Sequence, residues 1–234
     1  MAKKNQPAVK ETEVMESKTE AFVTKNKKLL LIALAVIIAL IVGCFLYKTY
    51  VSTPRQEKAS TALAKGQEYF ANGQFDKALN GDGAGYAGLQ KIISDYGSTD
   101  AGNLANLYAG LCYAQLDKWT EAAKYLEAFS PADDAMISPA AIGALGNAYA
   151  HLNQLDKAVT TLQKAADKAD KEGKDGVNNS IAPTFRLQAA EIVESQGKDA
   201  LQLYKDIKEK YVNSALVQSG EIDKYIERAE LKKK

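Results

Sequence analysis

Nineteen consecutive residues without a charge, Leu29 to Tyr47 (LLLIALAVIIALIVGCFLY), constrain this chain more than any other stretch. As a helix they rise about 28 Å, close to the thickness of bilayer hydrocarbon. Leu, Ile, Val and Ala dominate on every side, leaving no polar face for water. The run therefore predicts a transmembrane anchor, extending to about residue 51, that contacts the lipid bilayer through Leu29–Tyr47. It leaves a polar segment, residues 1–28, on one side and residues 52–234 on the other.

Orientation follows from lysines. Residues 1–28 carry Lys3, Lys4, Lys10, Lys18, Lys25, Lys27 and Lys28, whereas Lys48, Arg55 and Lys58 are the cations just beyond the run. Cytoplasmic flanks collect Lys and Arg. The expectation is a disordered cytoplasmic tail over 1–28, with a short helix near Glu11–Phe22, and a domain on the outer side. Two alternatives treat the run as a signal. Cleavage is disfavoured by the long leader and the lack of a small-x-small ending. Lipidation at Cys44, suggested by Ile41-Val42-Gly43-Cys44, is opposed by Phe45, Leu46 and Tyr47, which continue the apolar run.

Beyond the anchor, residues 49–234 carry 22 Lys and Arg against 25 acids. A mildly acidic domain gives no electrostatic case for nucleic acid. The two cysteines, Cys44 and Cys112, lie on different sides of the anchor boundary, so no disulfide framework is expected. With His151 the single histidine, no Cys/His zinc site is expected. Cys112 reads as a small buried hydrophobe.

From Thr53-Pro54, a helix-start signal, the chain reads as helical almost throughout. Then repetition appears. Gly66, Gly110 and Gly146 are each followed at three residues by Tyr69, Tyr113 and Tyr149, and at twelve by Ala78, Ala122 and Ala158. Phe75, Trp119 and Leu155 stand three before each alanine; Leu126 and Leu162 stand four after the last two. Small residues in both helices of a hairpin permit close approach, and the larger ones fill the seam. One hairpin cannot bury its apolar faces alone, so copies must stack.

This pattern resembles the tetratricopeptide repeat (TPR) family. The resemblance implies an all-α fold: one N-terminal transmembrane helix, then a helical solenoid with a C-terminal capping helix. Units are expected at about 55–97, 100–130, 138–171 and 180–212, with the cap at 214–230. In the first unit Asn80–Gly85 interrupts the second helix, which resumes near Tyr86. A calcium loop there lacks its later oxygen ligands, Lys91 standing where an acid would close it. Ser130–Pro139 and Lys171–Asn179 read as solvated connectors. Ala215–Ala229 reads as one capping helix, and Lys232–Lys234 as a frayed tail.

The chain shows no phosphate loop, nucleophile elbow or paired carboxylates at a catalytic spacing, so a non-catalytic protein without metal, cofactor or small-molecule substrate is expected. The TPR resemblance implies a partner-binding groove lined by Leu63, Gln67, Phe70, Leu107, Leu111, Gln115, Gly143, Asn147 and His151. The basic clamp that co-chaperones of the family use for a terminal carboxylate is missing, since Leu63, Gln67, Tyr108, Ala140 and Ala144 stand at the matching positions. The layout of tail, single span and repeat domain is also similar to the family of bacterial ancillary subunits of the SecYEG translocon. That resemblance implies an inner-membrane protein with periplasmic repeats and with the translocon, or a periplasmic chaperone, as partner. The alternative it leaves open is a lipoprotein-type subunit of an outer-membrane assembly complex.

Overall fold

The computed structural model describes residues 8–232, which are helices, turns and loops with no strand among them. It divides into two compact units, residues 1–55 and residues 56–234.

In the first unit, α1 (Ala8–Tyr47) carries the apolar run. It begins well before Leu29, so the tail expected to be disordered is helical from Ala8; residues 1–7 lie outside the described residues. Ala8–Lys28 contains no Gly or Pro, and Lys and Glu are its commonest residues. Once the apolar segment has nucleated a helix, each such residue adds a hydrogen bond at little cost. Leu29–Tyr47 is exposed along its whole length, with Ile32 at 61%, Leu40 at 64% and Phe45 at 66%, and the helix is long and apolar enough to cross a membrane. A π-helical turn, Lys48–Ser52, follows, and α2 (Thr53–Ala71) begins directly after it. The Thr53 hydroxyl donates back to Lys48 O at 3.0 Å instead of capping α2. The wide turn meets the demand of Pro54, which has no N–H to give and whose ring crowds the preceding carbonyl.

In the second unit, helices pair as the repeats require. α2 pairs with α3 (Phe75–Asn80) and α4 (Leu89–Tyr96); α5 (Asp100–Gln115) with α6 (Trp119–Ala128); α7 (Ile137–His151) with α8 (Leu155–Lys171); α9 (Ala182–Ser195) with α10 (Leu201–Lys210). Ala78, Ala122 and Ala158 are 0% exposed, which is why nothing larger than a methyl stands there. A Cβ on Gly110 would lie 2.6 Å from Leu126 Cγ, and one on Gly146 2.8 Å from Leu162 Cγ. The glycines are therefore seats for the leucines of the second helix, more than for the alanines.

Each hairpin turns the same way. Gly73, Asp117, Asn153 and Gly197 adopt φ of 69°, 56°, 57° and 75°. The next N–H then donates back across the turn: Gln74 to Tyr69 O, Lys118 to Tyr113 O, Gln154 to Tyr149 O and Lys198 to Val193 O. Only Gly, Asn and Asp enter the left-handed region cheaply, and these are the residues found. This places Ala190 at the buried glycine position of the fourth unit and Val193 at the tyrosine position.

The first unit solves its interrupted helix differently from the flexible break expected. Asp82 is a hub: it accepts the Tyr69 hydroxyl at 2.7 Å and the N–H groups of Ala84 and Tyr86 at 2.8 and 3.0 Å. Those bonds, Tyr69 foremost, hold its carboxyl down at about 2. Tyr86 turns inward, 7% exposed, and donates to Ala78 O at 2.9 Å. The second helix resumes at Leu89, not Tyr86, because Gly81 and Gly88 (φ 95° and 94°) close the loop backbone to backbone; a Cβ on either would lie 2.4 Å from a carbonyl oxygen. Leu89, 0% exposed, then seats on Gly66, filling the place that Leu126 and Leu162 take in the next units.

The C-terminal segment also departs from expectation. Gly220, at φ 71°, splits it into α11 (Ala215–Gln218), started by Ser214 as N-cap, and α12 (Glu221–Lys232). Ile222 and Ala229 of α12 are buried in the same core as Ala200, Tyr204 and Ile207, so α12 covers the end of the stack. Glu194 of α9 fastens it, accepting Arg228, Lys232 (2.7 Å) and the Tyr204 hydroxyl (2.7 Å).

The connectors read as solvated are in fact tied to one another along one edge. Gln56 Oε1 accepts Asp100 N–H at 3.1 Å. The Asn103 amide exchanges two 2.8 Å bonds with Ser130 backbone. Asp134 accepts the N–H groups of Met136, Ile137 and Ser138, capping α7. Asn178 donates to Ala135 O at 2.9 Å and accepts Ser180 and Ile181 N–H, starting α9. Asn103→Ala removes both Ser130 bonds and should lower unfolding stability by about 1–2 kcal/mol in urea titration. A loss under about 0.3 kcal/mol would mean water replaces them fully.

Candidate functional site

The first helices of the units, α2, α5, α7 and α9, carry the residues expected to line a groove. The structure sorts them into two sets. Leu63 (5% exposed) and Leu107 (7%) are core residues. Phe70 is half-buried and meets Phe75 and Tyr108 edge-on, at centroid distances of 5.7 and 5.4 Å. Gly143 is buried because the Phe185 ring takes its space, 2.3 Å from where a Cβ would be. These side chains pack helix on helix. Gln67, Leu111 and Asn147 are half-buried, and Gln115 and His151 exposed, so of the expected groove residues these five reach solvent.

The chemistry of that face is set by what α5 and α7 leave out. After Asp100, α5 has no charged residue, and α7 has no Lys, Arg, Asp or Glu at all. Two neighbouring units thus present amides, small residues and leucine between the more charged α2 and α9. At the rim, His151 stacks on Trp119, rings 3.6 Å apart and 4° from parallel. Trp119 opens α6 and His151 closes α7, so the stack joins units two and three, and Trp119 is the chain's single tryptophan.

Cys112 is not an activated thiol. Cys112 is 0% exposed and burial pushes its thiol up to about 12, which keeps it protonated. Among the described residues no group of three or more His, Cys, Asp or Glu side chains comes together as a metal site. The strongly perturbed carboxylates are structural instead. Asp170 of α8, 5% exposed, accepts Lys210 and Tyr211 Oη at 2.6 Å each, Arg186 at 3.3 Å and Asn178 N–H at 3.0 Å. Burial pushes its carboxyl up, but Lys210, Tyr211 and Asn178 together hold it below the usual range. Glu194 is held at about 2, chiefly by Arg228.

An architecture of stacked, left-handed-turn hairpins under a capping helix has a solved counterpart. A crystal structure described as a kinesin light chain with nearly identical TPR-like repeats, from Podosopora anserina, superposes with a TM-score of 0.51 at 13% identity, covering 76% of this chain and 96% of that chain. The fold is a TPR-like solenoid. No family model matches the sequence, and no curated protein matches it either. At this identity the likeness shows the fold alone. Residues 73, 117 and 153, a Gly, Asp and Asn four after Tyr69, Tyr113 and Tyr149, carry a turn signal that the repeat pattern alone did not use. Asn103, Asn178 and Asp170 had none, since their partners lie in other helices and connectors.

Proposed function

We propose that the chain is a non-catalytic, membrane-anchored scaffold that binds protein partners on the uncharged face of α5 and α7. The observation that carries this is that face itself: half-exposed Leu111 and Asn147 beside exposed Gln115 and His151, with no charge between Ala101 and Gln115 or along α7. Side-chain amides match the backbone of an extended segment, and a neutral wall suits an apolar one. The anchor is α1, whose apolar run passes unbroken through Cys44 to Tyr47; that continuity favours a retained span over an acylated Cys44. Lysine bias supports an outer-side repeat domain, and the layout supports reading that side as the periplasm of a bacterial inner membrane, with exported proteins near the Sec translocon, or a chaperone serving them, as partners. Tethering would raise the local concentration of weak partners without adding contacts.

The test is photo-crosslinking in intact membranes from Leu111, Gln115 and Asn147, with Lys164 on the exposed side of α8 as control. Leu107 is unsuitable because it is buried. Crosslinks to translocon, chaperone or exported chains from α5 and α7 alone are expected. Crosslinks only from Lys164 would sink the reading, and mass spectrometry of an acylated Cys44 would replace the anchor with a lipoprotein.

A further inference from the structure

Counting six residues back from the turn positions 73, 117, 153 and 197 gives Gln67, Leu111, Asn147 and Glu191, one from each unit. The helices that carry them pack side by side. Phe70 of α2 meets Tyr108 of α5, Leu107 of α5 shares a core with Ala141 of α7, and Phe185 of α9 takes the space beside Gly143 of α7. The four residues therefore form a row across the stack. Positions three before and four after each of them share their helix face. Those positions hold Ala, Tyr, Gln, Ser and His, with no Lys, Arg, Asp or Glu. Glu191 is thus the one acid on three rows that carry no Lys or Arg, and it stands at the α9 end.

The way Glu191 is held sets it apart from the other half-buried acids of residues 56–234. Asp95, Glu172, Glu194 and Asp223 each pair with a Lys or Arg, and Asp82 and Asp134 take backbone N–H groups. Glu191 has a neutral donor instead, the Tyr225 hydroxyl of α12, and among the described residues no cation or backbone N–H reaches it. Arg228 lies 4.9 Å from the Tyr225 ring but is committed, with Lys232, to Glu194. Glu221 adds a second negative charge that is felt at Tyr225. A carboxylate has about four acceptor sites, so Tyr225 leaves most of the capacity of Glu191 unused inside the domain.

We infer that this face takes an extended segment of a partner protein, neutral or apolar over Leu111 and Asn147, that sets one Lys or Arg side chain against Glu191. The inference rests on the partner-face reading above and adds the charge of the ligand. A cation at Glu191 meets a partly desolvated opposite charge, whereas an acidic residue there meets repulsion. Elsewhere on the three rows a charge finds no counterpart, so the basic residue of the partner belongs at this end. Packed helices lie about 10 Å apart, so α5 to α9 is about 20 Å, or about six extended residues from the apolar position to the basic one.

The test is binding of short dye-labelled peptides to the full chain in phosphatidylcholine nanodiscs, followed by fluorescence anisotropy with empty discs as blank. One peptide alternates Leu and Ser and carries Lys at both ends, so that either chain direction serves; the other carries Gln in place of Lys. The Lys peptide is expected to bind about tenfold more tightly, the worth of one charge-assisted hydrogen bond. Glu191→Gln, which keeps an acceptor for Tyr225, should remove that preference. Glu209→Gln on α10, an exposed site that changes the net charge equally, should keep it. Leu111→Ala should weaken both peptides. A preference that survives Glu191→Gln would assign it to the acidic balance of the whole domain and overturn the inference. Equal binding of the two peptides, weakened by Leu111→Ala, would overturn it and leave the partner face standing. Binding of neither would overturn both. Peptide uptake only as a dimer of the chain dissociates, seen by sedimentation, would give the face to a second copy and overturn the inference as well.

Discussion

Leu162→Ala should lower the unfolding free energy by about 3 kcal/mol, and part of that loss should vanish when Gly146 is already alanine. Leu162 is 0% exposed and fills the space over Gly146. Its removal leaves a cavity between α7 and α8 that neighbours, themselves fixed in helices, cannot close. Gly146→Ala alone adds a Cβ 2.8 Å from Leu162 Cγ, 3.0 Å from its Cδ2 and 3.2 Å from its backbone N. Alanine brings about 1 kcal/mol of helix propensity, but the overlap forces α7 and α8 apart, for a net loss of about 1–2 kcal/mol. In the double substitution the two closest atoms are gone and the methyl partly fills the void. The pair should therefore cost at least about 1 kcal/mol less than the sum of the singles, by urea titration. Additivity within about 0.4 kcal/mol would show that glycine is not there to seat the leucine.

The second large effect concerns Asp170. Asp170→Ala leaves the buried Tyr211 hydroxyl without its acceptor and Arg186 and Lys210 facing each other, and should cost about 3 kcal/mol. For a domain of this size that is a fall in Tm of about 6–12 °C. Asp167→Asn, which removes only the exposed partner of Arg186, should cost under about 0.5 kcal/mol. The same carboxylate predicts an acid limit. Asp170 is held below its ordinary pKa in the folded chain, and Glu194 at about 2. A depressed folded pKa means that the unfolded chain takes up protons first. The stabilisation is thus complete above the unfolded value, near 4, and is lost as pH falls from there toward 2. Tm should be flat from pH 7 to about 5 and drop steeply below 4, and Asp170→Asn should flatten that drop while lowering the plateau. A variant with an unchanged acid slope would shift the cause to other carboxylates.

The first of these sites marks where a linear reading succeeds. Gly146 and Leu162 recur with Gly110 and Leu126 at one offset, because every hairpin meets the same problem of close helix approach. Repetition in structure imposes repetition in sequence, so an all-helical, stacked fold and the apolar run of α1 could be read from residue order. Helix in the described part of the tail, the split at Gly220 and the inward turn of Tyr86 could not. Each depends on a competition between local preferences that only the packed chain resolves.

The groove residues were another matter. The TPR resemblance named Leu63 on α2, Leu107 and Leu111 on α5, and Asn147 and His151 on α7 without saying how deeply each is buried. Which of them meets water was decided by neighbours far along the chain: Phe185 takes the space above Gly143, and Trp119 lies flat on His151. Likewise Asp170, Asn103 and Asn178 are ordinary polar residues in a one-dimensional string. They become the ties of the solenoid because burial removes water as their alternative partner, and burial is a property of the tertiary structure alone.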